Sequence, residues 1–188
     1  EINYRSNQTI VDFAHRAGYS RNLTSFSPEL RLRPLKEVPS SQAAPEGWPN
    51  ELFWTPEWSR FLDPEEPAVC FLYPEGLSSQ WNIFEAQAVT ALTWLLSGRL
   101  SKQLDGEVSG MGGALIPASD EPHNDESFWG QGVGIVTPHR AQQALILTQL
   151  RKAFPEVEPN LIRSAVDTVE RFQGQQRDVI IASYSLGD

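Results

Sequence analysis

The sequence predicts an α/β fold in which a parallel sheet carries helices on both faces. Two features of the pattern say so. Short apolar runs without polar alternation, such as Ala68–Tyr73 and Val133–Thr137, have the character of strands buried on both sides. Between them lie stretches whose apolar residues recur at helical spacing, and strand–helix–strand alternation is what lays strands parallel. At 188 residues the chain suits one well-cored domain, spanning residues 1–188.

Residues 6–17 read as a helix, with Ser6 as cap, Ile10, Val11, Phe13, Ala14 and Ala17 on one stripe, and Gly18 as stop. Residues 24–66 form a long irregular insertion, rich in proline and anchored by packing of Trp48, Phe53, Trp54 and Trp58. The strand Ala68–Tyr73 follows, with Cys70 as a core residue, and Pro74-Glu75-Gly76 turns the chain. Asn82, with Glu85 three residues on, caps a helix whose stripe is Phe84, Ala88, Ala91, Leu92, Leu95 and Leu96. A second insertion, 101–132, is glycine-rich and acidic and is expected to be mobile in part. Val133–Thr137 is the next strand, Thr137 the cap and Pro138 the first residue of the helix after it. Strands around Ser164–Thr168 and Asp178–Tyr184 complete the pattern.

Net charge is −9, which by itself disfavours a nucleic-acid partner, but the acid is concentrated. Residues 1–36 carry a net +3, residues 133–188 are neutral, and the middle carries −12. Local field governs phosphate binding more than total charge does. No apolar run approaches membrane-spanning length, the amino terminus shows no secretory pattern, and the lone cysteine excludes an internal disulfide. A cytoplasmic, membrane-free protein is the expectation.

Several chemistries are excluded by missing parts. The lysines, Lys36, Lys102 and Lys152, never follow a glycine, so there is no P-loop. Gly130-Gln131-Gly132-Val133-Gly134 precedes a strand rather than following one, which fails the dinucleotide-binding context. The cluster Glu121, His123, Asp125 and Glu126 reads as solvated charge on an acidic loop, so no metal site is assigned. No self-contained catalytic centre is present.

What remains is an ordered set of polar blocks at strand ends. Asn3-Tyr4-Arg5-Ser6 precedes the first helix, and Thr137-Pro138-His139-Arg140-Ala141-Gln142 lies at a strand-to-helix turn. Val166-Asp167-Thr168-Val169-Glu170-Arg171-Phe172-Gln173-Gly174-Gln175-Gln176-Arg177-Asp178-Val179-Ile180-Ile181 runs strand, polar turn, strand. These blocks resemble, in order, the motifs of the second RecA-like domain of superfamily 1 helicases, in the Upf-like branch. Asn82-Ile83-Phe84-Glu85-Ala86 is similar to an Asn-x-x-Glu-Ala stretch found between them.

The resemblance implies a RecA-like domain that works with an N-terminal RecA-like domain carrying the P-loop, on single-stranded DNA or RNA, with DNA favoured. ATP with Mg2+ would be held mainly by that other domain. Arg5 matches the position whose guanidinium reaches the transferred phosphoryl group, and Tyr4 one that stacks on the base. Gly174 allows close backbone approach. Gln176 stands where a glutamate often contacts the ribose, a weaker acceptor in its place. Thr137, Pro138, His139 and Thr168 match positions that touch strand phosphates without reading bases. The P-loop domain and the family's second arginine motif are absent from this chain, so the fragment alone is expected to be inactive. The rival expectation is a helicase-like scaffold or nucleic-acid-binding module without motor function, which Gln176 and the acidic middle favour.

Overall fold

The computed structural model describes residues 1–20, 22–72 and 80–185. The chain opens with β1 (Ile2–Asn3), α1 (Gln8–Arg16) and β2 (Thr24–Ser25), the two short strands pairing in parallel. Asn7, not Ser6, caps α1. Its side chain accepts from the Ile10 N–H at 3.0 Å and donates to the Leu30 carbonyl at 3.0 Å, a bridge that a serine hydroxyl is too short to make. Val11 is buried, while Ile10 and Phe13 stay exposed.

The first insertion is irregular, with one 3-10 stretch at Pro56–Leu62. Trp48, Leu52, Trp58 and Leu62 join the core, and the Trp48 ring meets those of Trp54 and Trp94 edge-on at 4.9 and 5.1 Å. Phe53 departs from the expected packing and is exposed. Residues 68–72 also depart from expectation: they join no sheet, and Cys70 is exposed rather than core. Tyr73 and the turn at Pro74–Gly76 lie outside the described residues. An apolar run specifies a need for cover, not a pairing partner. Phe71 finds partial cover from the rings of Trp58, Phe61 and Phe84 at 5.9, 5.3 and 6.1 Å.

Next comes α2 (Ile83–Leu96), capped by Asn82, whose side chain accepts from the Glu85 N–H at 3.1 Å. It is buried at Ala86, Ala88, Val89, Ala91, Leu95 and Leu96. The buried hydroxyls of Thr90 and Thr93 donate back to the Ala86 and Val89 carbonyls, which lets α2 hide polar residues among apolar neighbours. The second insertion holds a hairpin of β3 (Val108–Ser109) and β4 (Ala114–Leu115), then α3 (Asp125–Ser127) and a π turn at Phe128–Gly132. It is fastened to the first by Arg33, which pairs with Asp105 at 2.8 Å and Asp120 at 2.6 Å. Lys102 pairs with Glu121 and holds that carboxyl below the ordinary glutamate range.

The rest is the sheet and its helices: β5 (Val133–Thr137), α4 (Arg140–Ala153), α5 (Pro159–Ala165), β6 (Val166–Thr168), α6 (Val169–Phe172) and β7 (Val179–Ala182). All three strands are parallel, with β5 between β6 and β7. Helices flank the sheet on both sides, as the sequence predicts, and α2 packs on α4. Three boundaries differ from expectation. His139, rather than Thr137, stands at the N-terminus of α4, so Pro138 lies in the turn before the helix. Ser164 belongs to α5, which leaves β6 to start at Val166. β7 ends at Ala182, two residues before Tyr184. Val133, Ile135, Ile146, Leu150, Ile162 and Val166 are essentially solvent-free and join the apolar side of α2 in one core. Among the described residues no helix is long and apolar enough to cross a membrane.

Candidate nucleotide cleft and strand-end edge

Asn3 builds the turn that carries Tyr4 and Arg5. Its side-chain oxygen accepts from the Arg5 N–H at 2.7 Å and the Ser6 N–H at 3.0 Å, an Asx turn that fixes the backbone between β1 and α1. The Tyr4 ring lies 4.8 Å from that of Phe26, at 41°. Arg5 is exposed, and among the described residues its guanidinium forms no hydrogen bond or ion pair.

Across from this turn lies the polar segment between β6 and β7. Gly174, at φ 89°, takes a backbone conformation that favours glycine. Arg177 reaches back: it donates to the Gln176 carbonyl at 2.7 Å and the Gln175 side chain at 2.9 Å, and lies over the Phe172 ring at 5.1 Å. Burial lowers its pKa from the ordinary arginine value, and the charge of Asp178 opposes that effect. Gly134 in β5 makes this packing possible. A Cβ there would collide with the tip of Phe172, and would come within 2.7 Å of Arg177 Cγ and 2.9 Å of Ile180 Cδ1.

Both walls face one cleft of about 1170 Å³. Tyr4, Arg5 and Phe26 line one side, and Gly174, Gln176 and Arg177 the other. The β3–β4 hairpin adds Glu107 and Val108 to the rim, and Glu170 and Asp178 add carboxylates. Thr168 does not line the cleft, although its neighbour Val169 does.

Asp178 is not a free charge. The buried ring of His123 pairs through Nε2 with its Oδ2 at 2.9 Å and through Nδ1 with the Ser127 hydroxyl at 3.1 Å. His123 is therefore not the solvated loop residue expected of it; it docks the second insertion against the start of β7. Among the described residues no three of the potential ligands stand together as a metal would need.

The other predicted residues gather at the carboxyl ends of the strands. Thr137 pairs with Thr168 in register, and the Ser183 N–H donates to the Val136 carbonyl at 2.9 Å, so Ser183 extends the same edge. Thr137 is fully buried in this structure. Its hydroxyl accepts from the His139 N–H at 3.4 Å and so shapes the turn that presents Pro138, exposed, and His139, partly exposed. Thr168 is half-buried, its N–H held by the Asp167 side chain at 2.8 Å.

Compared with known proteins, residues 1–185 match the AAA domain family. The chain belongs to that family. This AAA domain is also similar to the protein described as "Probable helicase senataxin", at 38% identity in Mus musculus and 35% in Homo sapiens, each over 69 residues. The match covers 37% of this chain and 2% of each senataxin, so the chain spans a small part of the length of those relatives. No solved structure gives a significant match. The family and these relatives together support a helicase-type domain.

The sequence did not single out Phe26, Arg177 or Gly134 as site residues, nor His123 as the partner of Asp178. Phe26 and His123 come from the insertions, whose irregular sequences match no motif. Arg177 lies inside the Gly174–Asp178 block, where its charge was a visible signal.

Proposed function

We propose that this AAA domain is the C-terminal RecA-like motor domain of an ATP-dependent superfamily 1 helicase or translocase of the Upf-like branch, acting on single-stranded nucleic acid. The observation that carries the reading is the shared cleft: Arg5 and Tyr4, more than 160 residues from Gly174 and Gln176, face the same space. An exposed guanidinium without a carboxylate partner among the described residues, next to an aromatic pair, suits a nucleoside triphosphate better than it suits a packing role.

The residues fit ATP. Tyr4 and Phe26 offer ring faces to a base, Gly174 offers bare backbone, and the Gln176 amide can donate to or accept from a ribose hydroxyl. Arg5 would hold the terminal phosphate and stabilise charge that builds there as the phosphoryl group departs. ATP with Mg2+ supplies the driving reaction when bound. Mg2+ would be held with the phosphates, mainly by an N-terminal P-loop domain. At the strand-end edge, Pro138, His139 and Thr168 would touch the backbone of single-stranded DNA or RNA, DNA favoured, while Thr137 acts through the turn it shapes. Closure and reopening of the cleft between the two domains would then shift that grip along the strand.

The test is an ATPase assay of the parent protein with and without a single-stranded oligonucleotide. Stimulation by the strand supports the motor. A protein that binds the strand yet never hydrolyses ATP is the scaffold instead.

A further inference from the structure

The Asn82–Ala86 block has no part in the cleft and none in the row of strand ends, yet its polar residues hold the end of β7. Glu85 Oε2 accepts from the Ser183 hydroxyl at 2.6 Å and from the Ser185 N–H at 2.9 Å. The Ser183 hydroxyl in turn accepts from Gln142 Nε2 at 3.0 Å. Gln142 has no exposed surface, and its amide also pairs with the Asn82 backbone, accepting from the N–H at 2.7 Å and donating to the carbonyl at 3.1 Å. Two separated parts of the sequence, the Asn82–Ala86 block and Gln142, thus converge on the segment just past the last strand.

Those serines flank Tyr184. Ser183 and Ser185 are 3% and 1% exposed, whereas Tyr184 is 60% exposed. Ser185 stands at φ 52°, in the left-handed region that serine rarely adopts, and the Glu85 carboxylate takes its N–H there. The segment is pinned on both sides of an outward-facing aromatic ring, on the edge that also carries Thr137 and Thr168.

We propose that Glu85 is a positioning residue for nucleic-acid contact: it fixes Ser183 and Ser185 so that the Tyr184 ring stands at the strand-end edge and stacks on a base of a bound single strand. Stacking on an aromatic ring tolerates any base, which suits an edge that otherwise touches phosphates. The inference rests on the strand-edge reading above.

Its sign separates it from a plain charge effect. If Glu85 acted only as a negative charge near phosphates, Glu85→Ala would tighten binding. Loss of the clamp loosens it. The experiment measures the affinity of the parent protein for a fluorescent oligo(dT) by anisotropy at fixed salt, alongside the KM for ATP. Wild type binds. Glu85→Ala binds about tenfold more weakly, the scale of losing a hydrogen bond to a charged group, with the ATP KM unchanged. Glu85→Gln, whose amide oxygen still accepts from the Ser185 N–H, stays within about threefold of wild type. Tyr184→Ala loses about tenfold, and the double variant is no weaker than the weaker single, because both remove the same contact. Tighter or unchanged binding in Glu85→Ala, or losses that multiply in the double variant, overturns the clamp while leaving the strand-edge reading in place. A wild-type protein that binds no strand overturns both. Should Glu85→Ala fail to fold, Tyr184→Ala decides, and undiminished affinity there refutes the proposal.

Discussion

Replacing Gln142 with leucine exposes how much of this fold depends on one buried amide. The side chains are similar in volume, so the change removes hydrogen bonds more than it opens space. Gln142 holds the Asn82 N–H at 2.7 Å, the Asn82 carbonyl at 3.1 Å and the Ser183 hydroxyl at 3.0 Å, all away from water. Two of these partners keep an alternative. The Asn82 carbonyl still accepts from the Ala86 N–H at 3.1 Å, and Ser183 still donates to Glu85. The Asn82 N–H, at 4% residue exposure, loses the hydrogen bond to the Gln142 amide, which costs about 1–3 kcal/mol, and the two weakened contacts bring the expected loss to about 2–4 kcal/mol. Urea denaturation of wild type and Gln142→Leu, followed by far-ultraviolet circular dichroism, measures it. A midpoint shift at unchanged m-value corresponding to that range is the expected result. A variant within about 0.5 kcal/mol of wild type would show that the network ties α2 to α4 without stabilising either, and the reasoning would fail.

Other substitutions probe separate parts. Gly134→Ala forces a methyl group into Phe172, Arg177 and Ile180, and is expected to destabilise the chain by about 1–3 kcal/mol in the same denaturation assay; a neutral result would mean that the Gly174–Arg177 segment lifts off the strand at little cost. His123→Ala strips the partly buried Asp178 carboxylate of its partner and should cost about 1–3 kcal/mol, seen as a lower melting temperature, with no change contradicting the docking role. Thr168→Ala in the parent protein should weaken binding of a single-stranded oligonucleotide about fivefold, the scale of one lost phosphate hydrogen bond, and blunt the stimulation of ATPase by that strand; equal affinity and equal stimulation would remove Thr168 from the interface.

The parts of the molecule legible in the sequence are those where local pattern and tertiary environment agree. Val133–Thr137 is apolar because it is the middle strand, and the stripe from Ala88 to Leu96 is helical because both its caps and its spacing say so. Ala68–Tyr73 misled for a physical reason: it carries the same apolar signature, but the described part of it joins no sheet, and nothing in a single segment encodes whether a neighbour is in reach. The sequence places the start of α4 two residues early, at Thr137-Pro138, because threonine and proline are good helix starters, while the chain spends them on the turn before α4. Motif order singles out Arg5, Gly174 and Gln176 as candidates, and their meeting in one cleft is a tertiary fact that spacing cannot supply. Phe26, Glu107 and His123 were out of reach, since they come from insertions that owe their places to long-range ties such as Arg33 with Asp105 and Asp120.

In the proposed motor, Arg5 reaches across to a triphosphate seated on another domain. Steady-state ATPase of the parent protein carrying Arg5→Ala, with nucleotide affinity measured beside it, tests this most directly. Turnover should fall by about 10³-fold, the scale of losing an arginine at the transferred phosphoryl group, while nucleotide still binds. Turnover equal to that of wild type would contradict the account.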